Sequence, residues 1–183
     1  MKPLLLFFLI SQLACAYLHA RETYEPNWES LDERPVLNWF EDAKFGIFIH
    51  WGLYSVPAWG PTEDVGVYEK YAEWYWYSLM TPSRESYSQF NQIHRDFFGD
   101  GTPYQQFVDG FTCEMFEPNE WAEVFRQSGA KYIVLTSKHH EGFALWPSKH
   151  AWNWNANDVG PMRDLAGDLT KAVRDVGLRM GFY

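Results

Sequence analysis

Short apolar runs alternate with stretches of helical spacing along this chain. Phe45 to His50 (FGIFIH) is apolar, with β-branched and aromatic members, and ends on a histidine. Such a run predicts a strand buried on both faces, and therefore a parallel sheet with helices outside it. Lys131 to Thr136 (KYIVLT) and Leu178 to Tyr183 (LRMGFY) predict a second and a third strand. Pro118 and Asn119 open a helix with Trp121, Val124 and Phe125 at i, i+3 and i+4, and Gly129 closes it. A second helix starts near Arg163, carries Leu165, Leu169, Ala172, Val173 and Val176 on one stripe, and closes at Gly177.

The remaining pattern is coarser. Val36 to Ala43 predicts a short helix packed on the floor of the sheet. Residues 52–66 read as loop, punctuated by Pro57, Gly60, Pro61 and Gly66. Tyr68 to Met80 lacks Gly and Pro and predicts a helix ending before Pro82, and Tyr87 to Phe98 predicts another. Tyr104 to Phe111 fits neither period cleanly. Strands alternating with helix-Gly units define a parallel α/β fold, either doubly wound or a (β/α)8 barrel. A dinucleotide-binding sheet needs G-x-G-x-x-G after its first strand. Only Gly52 follows here, so the expected fold is a (β/α)8-type, TIM-like barrel.

The N-terminus is a different object. Lys2 precedes the apolar stretch Leu4 to Ile10, and Ala14-Cys15-Ala16 has the small-x-small form of a cleavage site. Residues 1–16 are expected to be a signal peptide, too short to span a bilayer, so the chain is assigned to the secretory pathway without stable membrane insertion. Cleavage leaves Cys113 as a lone cysteine, either a buried thiol or one whose partner lies elsewhere. The net charge of −9 and the scattered basic residues argue against nucleic acid as a partner. Aromatic residues make up 19%, enough to fill a core and to stack on ligand rings.

Candidate chemistry sits where strands end. His50 closes the first predicted strand, and His139-His140-Glu141 follow the second, which brings three imidazoles to the C-terminal mouth of one sheet. A metal site is one reading, but His50-Trp51-Gly52 lacks the H-x-H alternation that points two rings to one side. Hydrogen bonding to hydroxyl groups is the other, since an imidazole can both donate and accept. Glu73, flanked by rings in Ala72-Glu73-Trp74-Tyr75, could accept from hydroxyls or could be a solvated helix residue. Glu141 could face solvent or orient an imidazole.

Several segments carry a family likeness: F-G-I-F-I-H-W-G-L-Y-S-V-P-A-W-G from Phe45, A-E-W-Y from Ala72, A-K-Y-I-V-L-T-S-K-H-H-E-G-F-A-L-W-P-S from Ala130, W-N-W-N from Trp152 and D-V-G-P-M-R-D-L from Asp158. From about Tyr24 to Tyr183 the chain resembles the N-terminal half of the α-L-fucosidases of glycoside hydrolase family 29. Pro26 to Pro35 is similar to the lead-in of the animal lysosomal and secreted enzymes.

The resemblance implies a barrel catalytic domain followed by a β-sandwich. It implies retaining hydrolysis of terminal α-L-fucose from glycans or glycolipids, without cofactor or metal, and a possible homo-oligomer. It places fucose-binding residues at His50, Glu73, His139, His140 and Tyr183, with walls at Trp59 and Trp146. The family's aspartate nucleophile and acid/base carboxylate are expected beyond Tyr183. Residues 17–183 are therefore expected to be an incomplete barrel, a fucose-binding half-site without its catalytic pair. A non-catalytic fucose-binding form and a metal-dependent barrel hydrolase stay open as alternatives.

Overall fold

A computed structural model of the chain describes residues 23–62 and 65–183. The signal-peptide assignment and Cys15 lie outside the described residues. Contacts divide the chain into one unit up to Asp42 and a larger one from Ala43 to Tyr183.

The first unit holds helix α1 (Trp28–Asp32) and most of α2 (Asn38–Ala43). The Asn27 side chain caps α1 by accepting from the Ser30 amide at 2.9 Å. Helix α2 covers most of the expected Val36–Ala43 segment, and Val36, Leu37 and Phe40 are exposed.

The second unit is built on three short parallel strands, β1 (Gly46–Ile49), β2 (Tyr132–Leu135) and β3 (Arg179–Phe182), in that spatial order. Gly46 pairs with Tyr132 and Tyr132 with Arg179, so the rows across the sheet are Ile47–Ile133–Met180 and Phe48–Val134–Gly181. Side chains alternate between faces along each strand. Ile133 and Leu135 are fully buried, in one core with Leu165, Leu169 and Val173.

Between the helices before and after these strands, the sequence pattern holds closely. Helix α6 (Pro118–Gln127) leads into β2 and α7 (Leu165–Asp175) into β3, and the two helices pack against each other. Asp164 caps α7 by accepting from the Gly167 amide at 2.8 Å. Gly129 and Gly177 hold φ of +88° and +81°, left-handed closures that glycine makes without strain.

Two expectations are corrected. β1 is not buried on both faces: Phe48 is 51% exposed, because the helices cover the face that carries Ile133 and Leu135 and not the face that carries Phe48. The segment Tyr68 to Met80 is not one helix. It forms 3-10 turns at Val67–Glu69 and Ala72–Trp74, and only then α3 (Tyr75–Met80). Tertiary contacts override local propensity there. Glu69 leaves the segment to pair with Arg84 at 3.0 Å and to accept from the Ser86 hydroxyl at 2.7 Å. The chain also passes so close to Gly60 that a Cβ there would meet the Lys70 carbonyl at 2.2 Å. The rest follows the pattern: α4 (Tyr87–Phe98) is as expected, and the ambiguous Tyr104–Phe111 is a 3-10 turn running into α5 (Phe107–Gly110).

Leu169 stands at 0% exposure between α7 and the sheet. Leu169→Ala is expected to lower the unfolding free energy by about 2–5 kcal/mol, read from a shifted denaturation midpoint; a loss below about 1 kcal/mol would show that α7 does not anchor the sheet.

Candidate functional site

The ladder continues past the strand ends, and this places the site. The Thr136 amide donates to the Ile49 carbonyl at 2.8 Å, the Tyr183 amide to Leu135 at 2.9 Å, and the Ser137 amide to Tyr183 at 2.9 Å. Phe48 and His50 lie on the same face of β1, two residues apart, with rings stacked at 5.1 Å. Tyr183 reaches the same place from β3, 5.6 Å from Phe48 and 6.3 Å from His50.

The loop after β2 delivers the other two imidazoles. Its turn closes where the Gly142 amide donates to the His139 carbonyl at 3.0 Å, with Gly142 at φ +80°. The Trp154 indole N–H donates to the Glu141 carbonyl at 2.9 Å, and Ala144 bridges to both Lys138 and Asn155. The loop is thereby pinned, and His139 sits 5.5 Å from His50 and 4.7 Å from His140.

Glu73 arrives from the second 3-10 turn. With Trp74, Trp76, Tyr77, Met80, His140 and Glu141 it lines a cleft of about 510 Å³. Trp74 leans on His140 at 4.3 Å. Behind it, the Arg84 guanidinium lies 5.0 Å from the Tyr77 ring and 6.0 Å from Trp74, held in turn by Glu69.

Of the residues expected from the sequence, the structure brings His50, His139, His140 and Tyr183 together and places Glu73 in the cleft beside His140. It does not bring Trp59 or Trp146 to them. Trp59 packs edge-on against Phe90 at 5.0 Å and lines a separate groove with Pro61 and Gln89. Trp146 lines a groove of about 670 Å³ with Phe182 and the length of α7 from Ala166 to Asp175. Phe48, Tyr54 and Trp74 were missed by the sequence reading. Phe48 was recoverable from the two-residue alternation with His50, and Trp74 from its place beside Glu73. Nothing local marks Tyr54, which touches His139 at 5.5 Å.

The electrostatics separate the histidines. His50 and His140 are exposed, whereas His139 is 8% exposed. Burial pushes the His139 imidazole down to about 4, helped by the neighbouring His140 and His50, so it is neutral above that pH. Glu141 is equally buried, and burial pushes its carboxyl up to about 7. Its Oε2 faces His139 Nδ1 at 3.7 Å, and neither that nitrogen nor either Glu141 oxygen has a hydrogen-bond partner. Cys113 is half-buried, free, and raised by burial to about 11, a quiet thiol. Among the described residues no group of three or more His, Cys, Asp or Glu is placed to hold a metal ion, and no helix is long and apolar enough to cross a membrane.

Imidazoles, a carboxylate and aromatic rings thus gather near the C-terminal ends of parallel strands, where α/β folds place their sites, and the imidazoles can both donate to and accept from hydroxyl groups. The family model described as "Alpha-L-fucosidase" matches residues 11–183. The chain is 46% identical over 183 residues to an alpha-L-fucosidase of Dictyostelium discoideum, covering all of this chain and 37% of that protein. It is 46% identical over 180 residues to human tissue alpha-L-fucosidase, covering 98% of this chain and 36% of that one. The crystal structure of Thermotoga maritima alpha-fucosidase in complex with fucose superposes with a TM-score of 0.77 at 48% identity, covering 88% of this chain and 37% of that chain. The chain belongs to the alpha-L-fucosidase family, glycoside hydrolase family 29. It spans about a third of the length of the curated relatives it matches.

The buried pair makes stability depend on pH in a definite sense. Glu141 holds its proton up to about pH 7 when folded, against an ordinary 4.5, so its contribution is complete below 4.5 and is lost as pH rises through 7. His139 runs the other way: its folded value of about 4 against 6.5 gives stability that is complete above 6.5 and is lost as pH falls through 4. The two slopes offset each other between 4.5 and 6.5. Glu141→Gln removes one of them, so its stability relative to wild type is expected to rise by about 3 kcal/mol from pH 4.5 to 7, measured by denaturant titration at each pH. A difference that does not change with pH would mean the carboxyl is solvated.

Proposed function

We propose that this chain carries the fucose-binding side of an α-L-fucosidase that hydrolyses terminal α-L-fucose from glycans and glycolipids with retention of configuration. One observation carries the reading: His50, His139, His140 and Tyr183 converge at the C-terminal ends of three parallel strands, with Glu73 in the adjoining cleft. Family membership and the fucose named with the Thermotoga structure support the same sugar. The packing of α6 against α7 and the uncovered face of Phe48 support a sheet wound in one direction, as in a (β/α)8 barrel, over residues 17–183. The leader-like residues 1–16 support entry to the secretory pathway and a lysosomal or extracellular site of action.

In this reading His50, His139 and His140 donate to or accept from the sugar hydroxyls, Glu73 accepts, and the rings of Trp74 and Phe48 cover apolar edges of the sugar. Retaining hydrolysis uses two carboxylates about 5 Å apart, one attacking and one protonating the leaving oxygen. By resemblance these follow Tyr183 in the family's order. Glu141 does not serve as either, because it is buried behind His139. The binding groups then act by orienting the anomeric carbon and by hydrogen bonds that tighten as positive charge develops on the ring.

Calorimetric titration of L-fucose tests this directly. His50→Ala, His140→Ala and Glu73→Gln are each expected to weaken binding about tenfold, the loss of one or two hydrogen bonds. Equal affinity in wild type and all three variants, or no preference for L-fucose over D-glucose, would sink the reading.

A further inference from the structure

Two buried histidines in this chain are treated differently. His94 is 7% exposed and fully satisfied: its Nε2 meets the Thr102 carbonyl at 2.8 Å and its Nδ1 meets the Tyr75 hydroxyl at 3.2 Å. That is a core histidine with a fixed tautomer. His139 is buried to the same degree, yet its Nδ1 has no hydrogen-bond partner and faces the Glu141 carboxyl, whose two oxygens also have none. Leaving one buried polar group unpaired costs about 1–3 kcal/mol, and here three such atoms share one small space. Closing 3.7 Å to hydrogen-bond distance needs a shift of under about 1 Å, within the reach of side-chain rotation.

We propose that Glu141 is the positioning residue for His139: its carboxyl shares one proton with Nδ1, and its own protonation state decides whether the ring's Nε2 accepts or donates toward a ligand. With Glu141 ionised, Nδ1–H donates to Oε2 and Nε2 is left with a lone pair. With Glu141 protonated, its O–H donates to Nδ1, and the ring proton sits on Nε2. Passing from the first state to the second takes up one proton from solvent: the Nδ1 proton moves to the carboxyl and the incoming proton settles on Nε2, so the ring stays neutral while it reverses its hydrogen-bonding sense.

The tyrosines that face the pair do not compete for the proton. Tyr54 and Tyr104 are pushed well above their ordinary range by burial and by Glu141 itself, so both stay neutral hydroxyls. Thr136 does not ionise. Glu73 acts on His139 through its backbone carbonyl, which favours the charged ring, while His50 and His140 disfavour it. Gly52 seals the far side: a Cβ there would stand 3.1 Å from Glu141 Oε1 and 3.0 Å from the Tyr54 ring. The carboxyl is therefore buried against neutral hydroxyls, with Glu73 the other carboxylate acting on Tyr54, and its titration near pH 7 is felt directly by the imidazole it faces.

This inference rests on the proposed binding role of His139 for its consequence, not for its test. The test is nitrogen-15 NMR of histidine side chains from pH 5 to 9, with the His139 signals assigned by their loss in His139→Gln. In wild type the Nδ1–H share of His139 is expected to rise at least threefold across that range, with a midpoint near 7. In Glu141→Gln the rise is expected to vanish, and in Glu141→Asp to return with a lower midpoint. A wild-type tautomer ratio that stays constant, or a rise that persists in Glu141→Gln, overturns the proposal. Should Glu141→Gln fail to fold, an unchanged midpoint in Glu141→Asp overturns it equally. L-fucose added to the same samples asks the other question: no fucose binding with an intact tautomer shift removes the proposed function and leaves the Glu141–His139 coupling standing.

Discussion

The register of three parallel strands fixes almost everything that matters here. Pairing Phe48 with Val134 and Gly181 forces Ile47, Ile133 and Met180 onto the opposite face, where Ile133 is buried in the core and Ile47 and Met180 pack against it. A slip of one residue would turn Ile133 and Leu135 outward and His50 into the core. The hydrophobic gain of burying that face therefore also chooses where the histidine points. Extending the ladder through Thr136, Ser137 and Tyr183 carries the same alignment past the strand ends, so residues 133 and 46 positions apart in sequence become neighbours at one edge.

The site residues are held with unequal firmness, and the difference has a physical basis. Trp74 is clamped between His140 and the Arg84–Tyr77 stack, and Arg84 is itself tied to Glu69. The turn carrying His139 and His140 is fastened by the Trp154 indole and by bridges to Asn155, a buried residue that also donates to Asp158 at 2.7 Å. His50 is exposed and is contacted by a stacked Phe48, the edge of His139 and a tilted Tyr183. Two walls of the cleft are thus pre-organised by packing, which lowers the ordering cost of binding on that side.

Much of this was legible in the sequence, and the failures have identifiable causes. The helix-Gly-strand units at Pro118–Leu135 and Leu165–Phe182 declare themselves because stripe, glycine closure and β-branched run all agree. Strand ends then locate His50, His139 and His140 together, and the family likeness adds Tyr183. The segment from Tyr68 to Met80 misled because its rings have no period: Glu69 and Tyr71 take their conformations from Arg84, Ser86 and the close passage at Gly60, all distant in sequence. Burial of β1 was overstated because an apolar run reports hydrophobicity, not which face a helix covers. Trp59 and Trp146 were assigned by resemblance alone, and in this structure they line other grooves.

The contrast between His94 and His139 shows why burial alone does not identify a functional histidine. Both are under 10% exposed, and a scan for buried polar residues would rank them together. His94 is satisfied at both nitrogens and sits among Tyr75, Phe98 and Phe107, with no polar atom left over. His139 keeps one nitrogen against a carboxyl that burial holds near neutrality, and packs against two other imidazoles. A core that sought stability alone would fill such a space with apolar side chains, since a half-satisfied polar cluster is costly. Keeping it makes sense where the cost secures something else. In this chain that is an uncharged imidazole whose orientation and hydrogen-bonding sense are set from behind, at the edge where the other two histidines arrive.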